Sequence, residues 1–180
     1  MSNAYAIRST RRFPRASVHT STFSENRLAM RAALATLEVL EREELGQRSI
    51  GAGNYLRERL NEALADFEML KEVRGMGLLM GIEFQAPKQL RLRIPCEAFG
   101  AVHAGMFGQI LVMRLFRDSG FLTQVCGNNF MVLKVAPPLV VTDGQLDAFV
   151  GAIRSVVELA HSPGAFWSEA IGLARRAFRS

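Results

Sequence analysis

The stretch Val73–Phe84, VRGMGLLMGIEF, constrains the fold more than any other. It is apolar enough to be buried, yet it carries glycines at 75, 77 and 81. Each glycine costs a helix interior roughly 1 kcal/mol relative to alanine, so three of them disfavour a helix and favour a strand. Glycine inside a strand marks a bulge or a point where another backbone comes close. The sequence on either side of this predicted strand decides the fold class.

Helical patterns lie upstream. From Asn26, apolar residues recur at spacings of three and four through Leu28, Ala32, Ala35 and Val39, joined by Leu34, Leu37 and Leu40. Asn26 suits the position before the first turn, where its side chain can accept from a free backbone N–H. Gly46 is expected to break or bend this helix, and a second amphipathic run follows through Tyr55, Leu56, Leu60, Leu64 and Phe67. Residues up to about Thr22 are polar, basic and irregular, and predict an extended leading segment.

Downstream, Pro87–Pro95 is a polar, basic connection, and Gly105–Ser119 is helical again, with Phe107, Ile110, Leu111, Arg114 and Leu115 at helical spacing. Phe121–Val125 and Phe130–Ala136 then predict two strands joined at Cys126-Gly127-Asn128-Asn129. Pro137-Pro138 stops the second, because proline has no N–H to give a ladder. Thr142 and Gln145 have capping-box spacing ahead of a helix that buries Leu146, Phe149, Ile153, Val156, Val157 and Ala160 and stops at Pro163-Gly164. Phe166–Phe178 predicts a last short helix. The expected class is α+β, a small antiparallel sheet packed with helices and preceded by a long linking helix.

Composition excludes several functions. No run approaches the roughly 18 apolar residues that cross a bilayer, and no apolar stretch follows the N-terminal arginines as a secretory signal requires. A cytoplasmic protein without membrane association is expected. The net charge of +5 is spread over predicted helices, with one cluster at Arg8, Arg11, Arg12 and Arg15, and no nucleic-acid reader motif accompanies it. Cys96 and Cys126 lack ligand spacing and predict buried thiols; no metal site is expected.

Three stretches, in order, resemble class III aminotransferases of fold type I, the group that includes ornithine, acetylornithine and putrescine aminotransferases. His19-Thr20-Ser21-Thr22-Phe23-Ser24-Glu25-Asn26 with Leu28-Ala29 is similar to H-x-S-T-F/Y-G-G-N-P-L-A. Arg74–Glu83 matches R-G-x-G-L-x-x-G-I-E, and Lys134–Leu139 resembles R-x-x-P-P-L. The resemblance implies pyridoxal 5'-phosphate as cofactor, small-molecule amine and keto-acid substrates, and a homodimer or higher homo-oligomer. It implies that residues 1–45 are the end of a large domain plus the interdomain helix, and 46–180 the C-terminal small domain.

The same resemblance assigns roles. In the family, the threonine of the first motif reaches across the dimer interface to the phosphate of the partner's cofactor, which implies Thr22, with Ser21 beside it, as cofactor-binding residues. A hydroxyl ahead of a helix N-terminus suits an anion; the alternative is that both residues only cap the helix. Ser24-Glu25 replaces the usual glycine pair and Arg27 the usual proline, and Glu25 adds negative charge near the phosphate site. Lys134 stands where members acting on α-amino acids carry an arginine that grips the substrate carboxylate. Lysine offers a point charge without the two-pronged fork, so Lys134 is implied as a substrate-binding anion anchor. Its alternative is an edge-strand lysine facing water. His19 is expected to be structural, and His103 and His161 to sit at helix ends or surfaces.

The family's reaction also needs a lysine that holds the cofactor's aldehyde and carries a proton to and from the substrate carbon. In the family it lies a few tens of residues before the first motif. Only eighteen residues precede His19, and the three lysines, Lys71, Lys88 and Lys134, all follow it. The expectation is a C-terminal portion of an aminotransferase, with no catalytic residue of its own and inactive alone. The competing reading is a stand-alone α+β binding module that never needed the cofactor.

Overall fold

The computed structural model describes residues 26–89, 106–127 and 129–162. It divides into two compact units, residues 1–43 and 44–180.

In the first unit, helix α1 (Arg27–Arg42) opens at Asn26, whose side chain accepts from the Ala29 amide at 3.1 Å, the cap expected from the sequence. Its face of Leu28, Met30, Leu34 and Leu37 is exposed, and no residue of the helix is buried. The helix stops at Arg42, before Gly46, and the break falls instead at Glu44, a non-glycine residue at φ 47°. Gly46 lies inside the next helix, α2 (Leu45–Leu64).

In the second unit, α2 leads into strands β1 (Leu70–Met76) and β2 (Leu79–Phe84). The single strand predicted over Val73–Phe84 is therefore a hairpin, turning at Gly77-Leu78 with Gly77 at φ 53°. The turn was hidden in an apolar run because Leu78 points inward and is buried. Helix α3 (Met106–Ser119) follows, then β3 (Gln124–Cys126), β4 (Asn129–Val135) and α4 (Asp143–His161). Of the strand predicted over Phe121–Val125, only its end joins the sheet. The helix predicted over Phe166–Phe178 lies outside the described residues.

All pairings are antiparallel, in the order β1-β2-β4-β3, so β4 is an interior strand. The small antiparallel sheet packed with helices is the α+β arrangement expected. Met80, Ile82 and Phe84 of β2 and Leu133 and Val135 of β4 point to one face, where they meet Leu56, Leu60 and Leu64 of α2, Leu111 and Leu115 of α3, and Ile153 and Val157 of α4. The alternate residues Gly81, Glu83, Val132 and Lys134 fall on the opposite face, since side chains alternate along a strand.

Two features fix α4, one at its first turn and one against α2. The capping box at the start of α4 is complete: Thr142 accepts from the Gln145 amide at 3.3 Å, and the Gln145 side chain accepts from the Thr142 amide at 3.0 Å. Tyr55 and Arg59 on α2 both donate to Asp147 on α4, at 2.9 and 3.2 Å, which holds the Asp147 carboxyl below its usual range.

The hairpin turn is seated on α2 by glycine. Ser49 on α2 accepts from the Leu78 amide at 3.1 Å, and a Cβ at Gly53 would lie 2.0 Å from the Gly77 carbonyl oxygen. A glycine is needed in the helix so that the turn can touch it. This is the close backbone approach that the glycine-rich motif predicts.

Candidate functional site

The sheet face away from the helices carries the candidate site. Glu83, near the end of β2, is 7% exposed, the only buried charged residue among those described. It accepts from Lys71 at 2.6 Å and from Arg74, which also binds Glu72. The bulge between Leu70 and Glu72 shifts the register at Lys71. Hydrogen bonds from Lys71 and then Arg74 hold the Glu83 carboxyl below its usual range.

A carboxyl whose folded pKa is depressed stabilises the fold at pH values above its unfolded value, here 4.5, and loses that contribution as pH falls toward the folded value. Glu83→Gln is therefore expected to unfold at lower urea than the parent at neutral pH, and the gap should narrow well below pH 4.5. Urea midpoints at the two pH values check this; a constant gap would show that the ionised form of Glu83 contributes nothing.

One register further along lies Lys134. It pairs with Gly81 of β2 and with Gln124 of β3, and Gly81 in turn pairs with Arg74 of β1. Cross-strand partners share a face, so Arg74, Gly81, Lys134 and Gln124 form one row. Lys134 is half-buried on an interior strand, which corrects the edge-strand alternative. Whereas Lys71 and Arg74 are held by carboxylates, Lys134 has no ion-pair or hydrogen-bond partner among the described residues. A lysine side chain without a carboxylate partner leaves its ammonium available to an incoming anion.

Past the end of β4, a cleft of about 300 Å³ opens between Phe121–Thr123, Val135–Pro138 and the first turn of α4. Its walls are mainly apolar, from Phe121, Leu122, Val135, Pro137, Leu146 and Phe149. The Pro137-Pro138 pair that ends the strand forms part of its rim.

The other sequence candidates divide by position. Ser21, Thr22, His19, His103 and Cys96 lie outside the described residues. His161 sits in the last turn of α4, as expected, with its Nδ1 2.8 Å from the Val157 carbonyl and its ring 4.9 Å from that of Phe67. Cys126 is a free thiol, half-buried rather than buried. Among the described residues no cluster of His, Cys, Asp or Glu could hold a metal ion, and no helix is long and apolar enough to cross a membrane. Sequence reasoning missed Gly81 and Gln124 as neighbours of Lys134, because their adjacency comes from register across three strands.

The described residues thus form an antiparallel sheet with its helices packed on one face and Lys134 on the other. The family model for aminotransferase class-III matches residues 3–157, and the chain belongs to that family. It is 36% identical over 141 residues to a diaminobutyrate–2-oxoglutarate aminotransferase of Rhizobium meliloti, covering 78% of this chain and 29% of that protein. It is 35% identical over 139 residues to an ornithine aminotransferase of an Exiguobacterium species, covering 77% and 28%. Among solved structures, the ornithine aminotransferase of Plasmodium yoelii aligns with TM-score 0.62 and 26% identity over 80% of this chain and 33% of that one. The chain thus spans less than a third of the length of these curated relatives.

The family depends on pyridoxal phosphate. Among the described residues no set fits around that group: Lys71 is paired with Glu83, and Lys134 has no carboxylate beside it that could meet a pyridine nitrogen. The described residues supply a lysine without a side-chain partner and an apolar cleft, and no cofactor cradle.

Proposed function

We propose that this chain forms the C-terminal portion of a pyridoxal-phosphate-dependent aminotransferase, which transfers an amino group from an amine or amino acid to a keto acid. Residues 1–45 are the end of the large domain and the interdomain helix, and 46–180 the small domain. Lys134 anchors a substrate carboxylate, and Thr22 with Ser21 binds cofactor phosphate. The observation that carries the reading is Lys134, a half-buried cation on an interior strand with no carboxylate partner among the described residues. It also lies in the motif whose family counterpart grips carboxylate.

The names of the relatives suggest diaminobutyrate or ornithine as donor and 2-oxoglutarate as acceptor. The chain works as a homo-oligomer in the cytoplasm, and the exposed apolar face of α1 is the surface a second copy or a large domain would cover. Covalent catalysis is assigned to a lysine outside the set Lys71, Lys88 and Lys134, so the 180-residue chain alone should not transaminate. The test is to incubate the purified chain with pyridoxal phosphate, each donor and 2-oxoglutarate, and to follow glutamate. No turnover above a cofactor-only control is expected; sustained turnover lost on replacing any of the three lysines would overturn the assignment.

A further inference from the structure

Lys134 lies between two strands, and only one of them gives it a side chain directly alongside. On the β2 side its partner is Gly81, which has none. On the β3 side its partner is Gln124, at the open edge of the sheet. Residues directly opposite in an antiparallel pair hold their Cβ atoms roughly 5 Å apart on one face. Gln124 is exposed, and its carboxamide has no hydrogen-bond partner among the described residues, Lys134 included. Glu83, one diagonal away on β2, does not compete for the lysine, because its carboxylate is taken by Lys71 and Arg74.

The two groups are chemically complementary. An ammonium is a compact point charge, and it does not present the paired, in-plane donors that match both oxygens of a carboxylate. A carboxamide carries two N–H donors and no charge. Side by side they offer a cation and a neutral donor, the two elements that a guanidinium combines in one plane.

We infer that Gln124 is a substrate-binding residue, donating through Nε2 to the second oxygen of the carboxylate held by Lys134, so that the pair replaces the fork a lysine lacks. The inference rests on Lys134 as a carboxylate anchor and adds the group that gives the grip its second point. That partner has to be neutral. A carboxylate at position 124 would pair with Lys134 and exclude the anion, whereas a carboxamide leaves the positive charge to the ligand. The pair favours a planar anion with two oxygens over chloride, which has no second acceptor for the amide. It reads the carboxylate alone, so amino-acid and keto-acid substrates are gripped in the same way.

The test uses butyrate on the purified chain, replacing chloride at constant ionic strength. Calorimetry gives the affinity, and NMR follows the side-chain amide protons of Gln124, assigned by their loss in Gln124→Leu. In the parent, butyrate should shift those protons saturably. Gln124→Leu should bind butyrate about tenfold more weakly, as the loss of one hydrogen bond to a charged group implies. Gln124→Glu should abolish binding at neutral pH. In Lys134→Arg the guanidinium brings its own second donor, so adding Gln124→Leu there should cost less than about threefold.

Circular dichroism checks that the variants fold; if Gln124→Leu does not, the amide shift in the parent decides. No saturable butyrate binding in the parent, or binding that survives Lys134→Ala, overturns the anchor and this inference with it. Four results overturn the role of Gln124 and leave the anchor standing: Gln124 protons unmoved by bound butyrate, undiminished binding in folded Gln124→Leu, parent affinity in Gln124→Glu, or an equal loss from Gln124→Leu in the lysine and arginine backgrounds.

Discussion

Gly53→Ala is expected to destabilise the second unit by about 3 kcal/mol, the upper end of what forcing extra atoms into a packed site costs. The reason is positional. The added methyl carbon would lie 2.0 Å from the Gly77 carbonyl oxygen and 2.8 Å from the Gly77 Cα, both backbone atoms of a tight turn. A rotamer change cannot relieve a clash between two backbones, so either α2 or the β1–β2 turn must move, and the Ser49 hydrogen bond to Leu78 goes with it. For a unit of this size the melting temperature should fall by roughly 10 °C. The same substitution at Gly51, also in α2 but with nothing within 4 Å, should instead stabilise by up to about 1 kcal/mol through helix propensity. Thermal melts of the two variants give opposite signs if the seated turn exists in solution; equal melts would show that it does not.

Leu133→Ala is the second large effect, expected at about 3 kcal/mol within the 2–5 kcal/mol range of buried leucine truncations. Leu133 is 1% exposed and sits on the interior strand, paired with Ile82 in the middle of the core. Its neighbours come from a sheet whose other face holds Lys134, so the cavity cannot collapse without tilting β4. Leu79→Ala, at a residue 59% exposed on the adjacent strand, should change stability by less than about 0.5 kcal/mol. Urea unfolding of both variants checks the contrast. A Leu133→Ala midpoint close to that of Leu79→Ala would place Leu133 outside the core.

How far the sequence reveals this molecule depends on how local each feature is. Asn26, the Thr142–Gln145 box and the apolar stripes of the helices act within a turn or two, and each is where its spacing puts it. The glycines of the R-G-x-G-L motif signal close approach, and Gly77 meets α2 at Gly53. The hairpin is less legible, because its turn uses a buried leucine in place of polar residues. The helix break at Glu44 has no marker, since glutamate rarely adopts positive φ and the nearby Gly46 is the stronger decoy. The strand order is illegible locally: β2 passes over β3 to pair with β4, a choice made by the core.

The candidate site follows the same rule. Lys134 is found by its motif, whereas Gly81 and Gln124 become its neighbours only once three strands are in register. Glu83 is visible as the last residue of its motif, yet its burial between Lys71 and Arg74 depends on the hairpin that brings β1 alongside. Ser21 and Thr22 rest on the family motif alone.

Isothermal calorimetry of butyrate with the parent chain, Lys134→Arg and Lys134→Ala tests the central claim most directly. If Lys134 is the carboxylate anchor, the parent and the arginine variant give saturable heats and the alanine variant gives none above the heat of dilution. Saturable binding of unchanged affinity in Lys134→Ala would contradict the account and move the anion site elsewhere on the molecule.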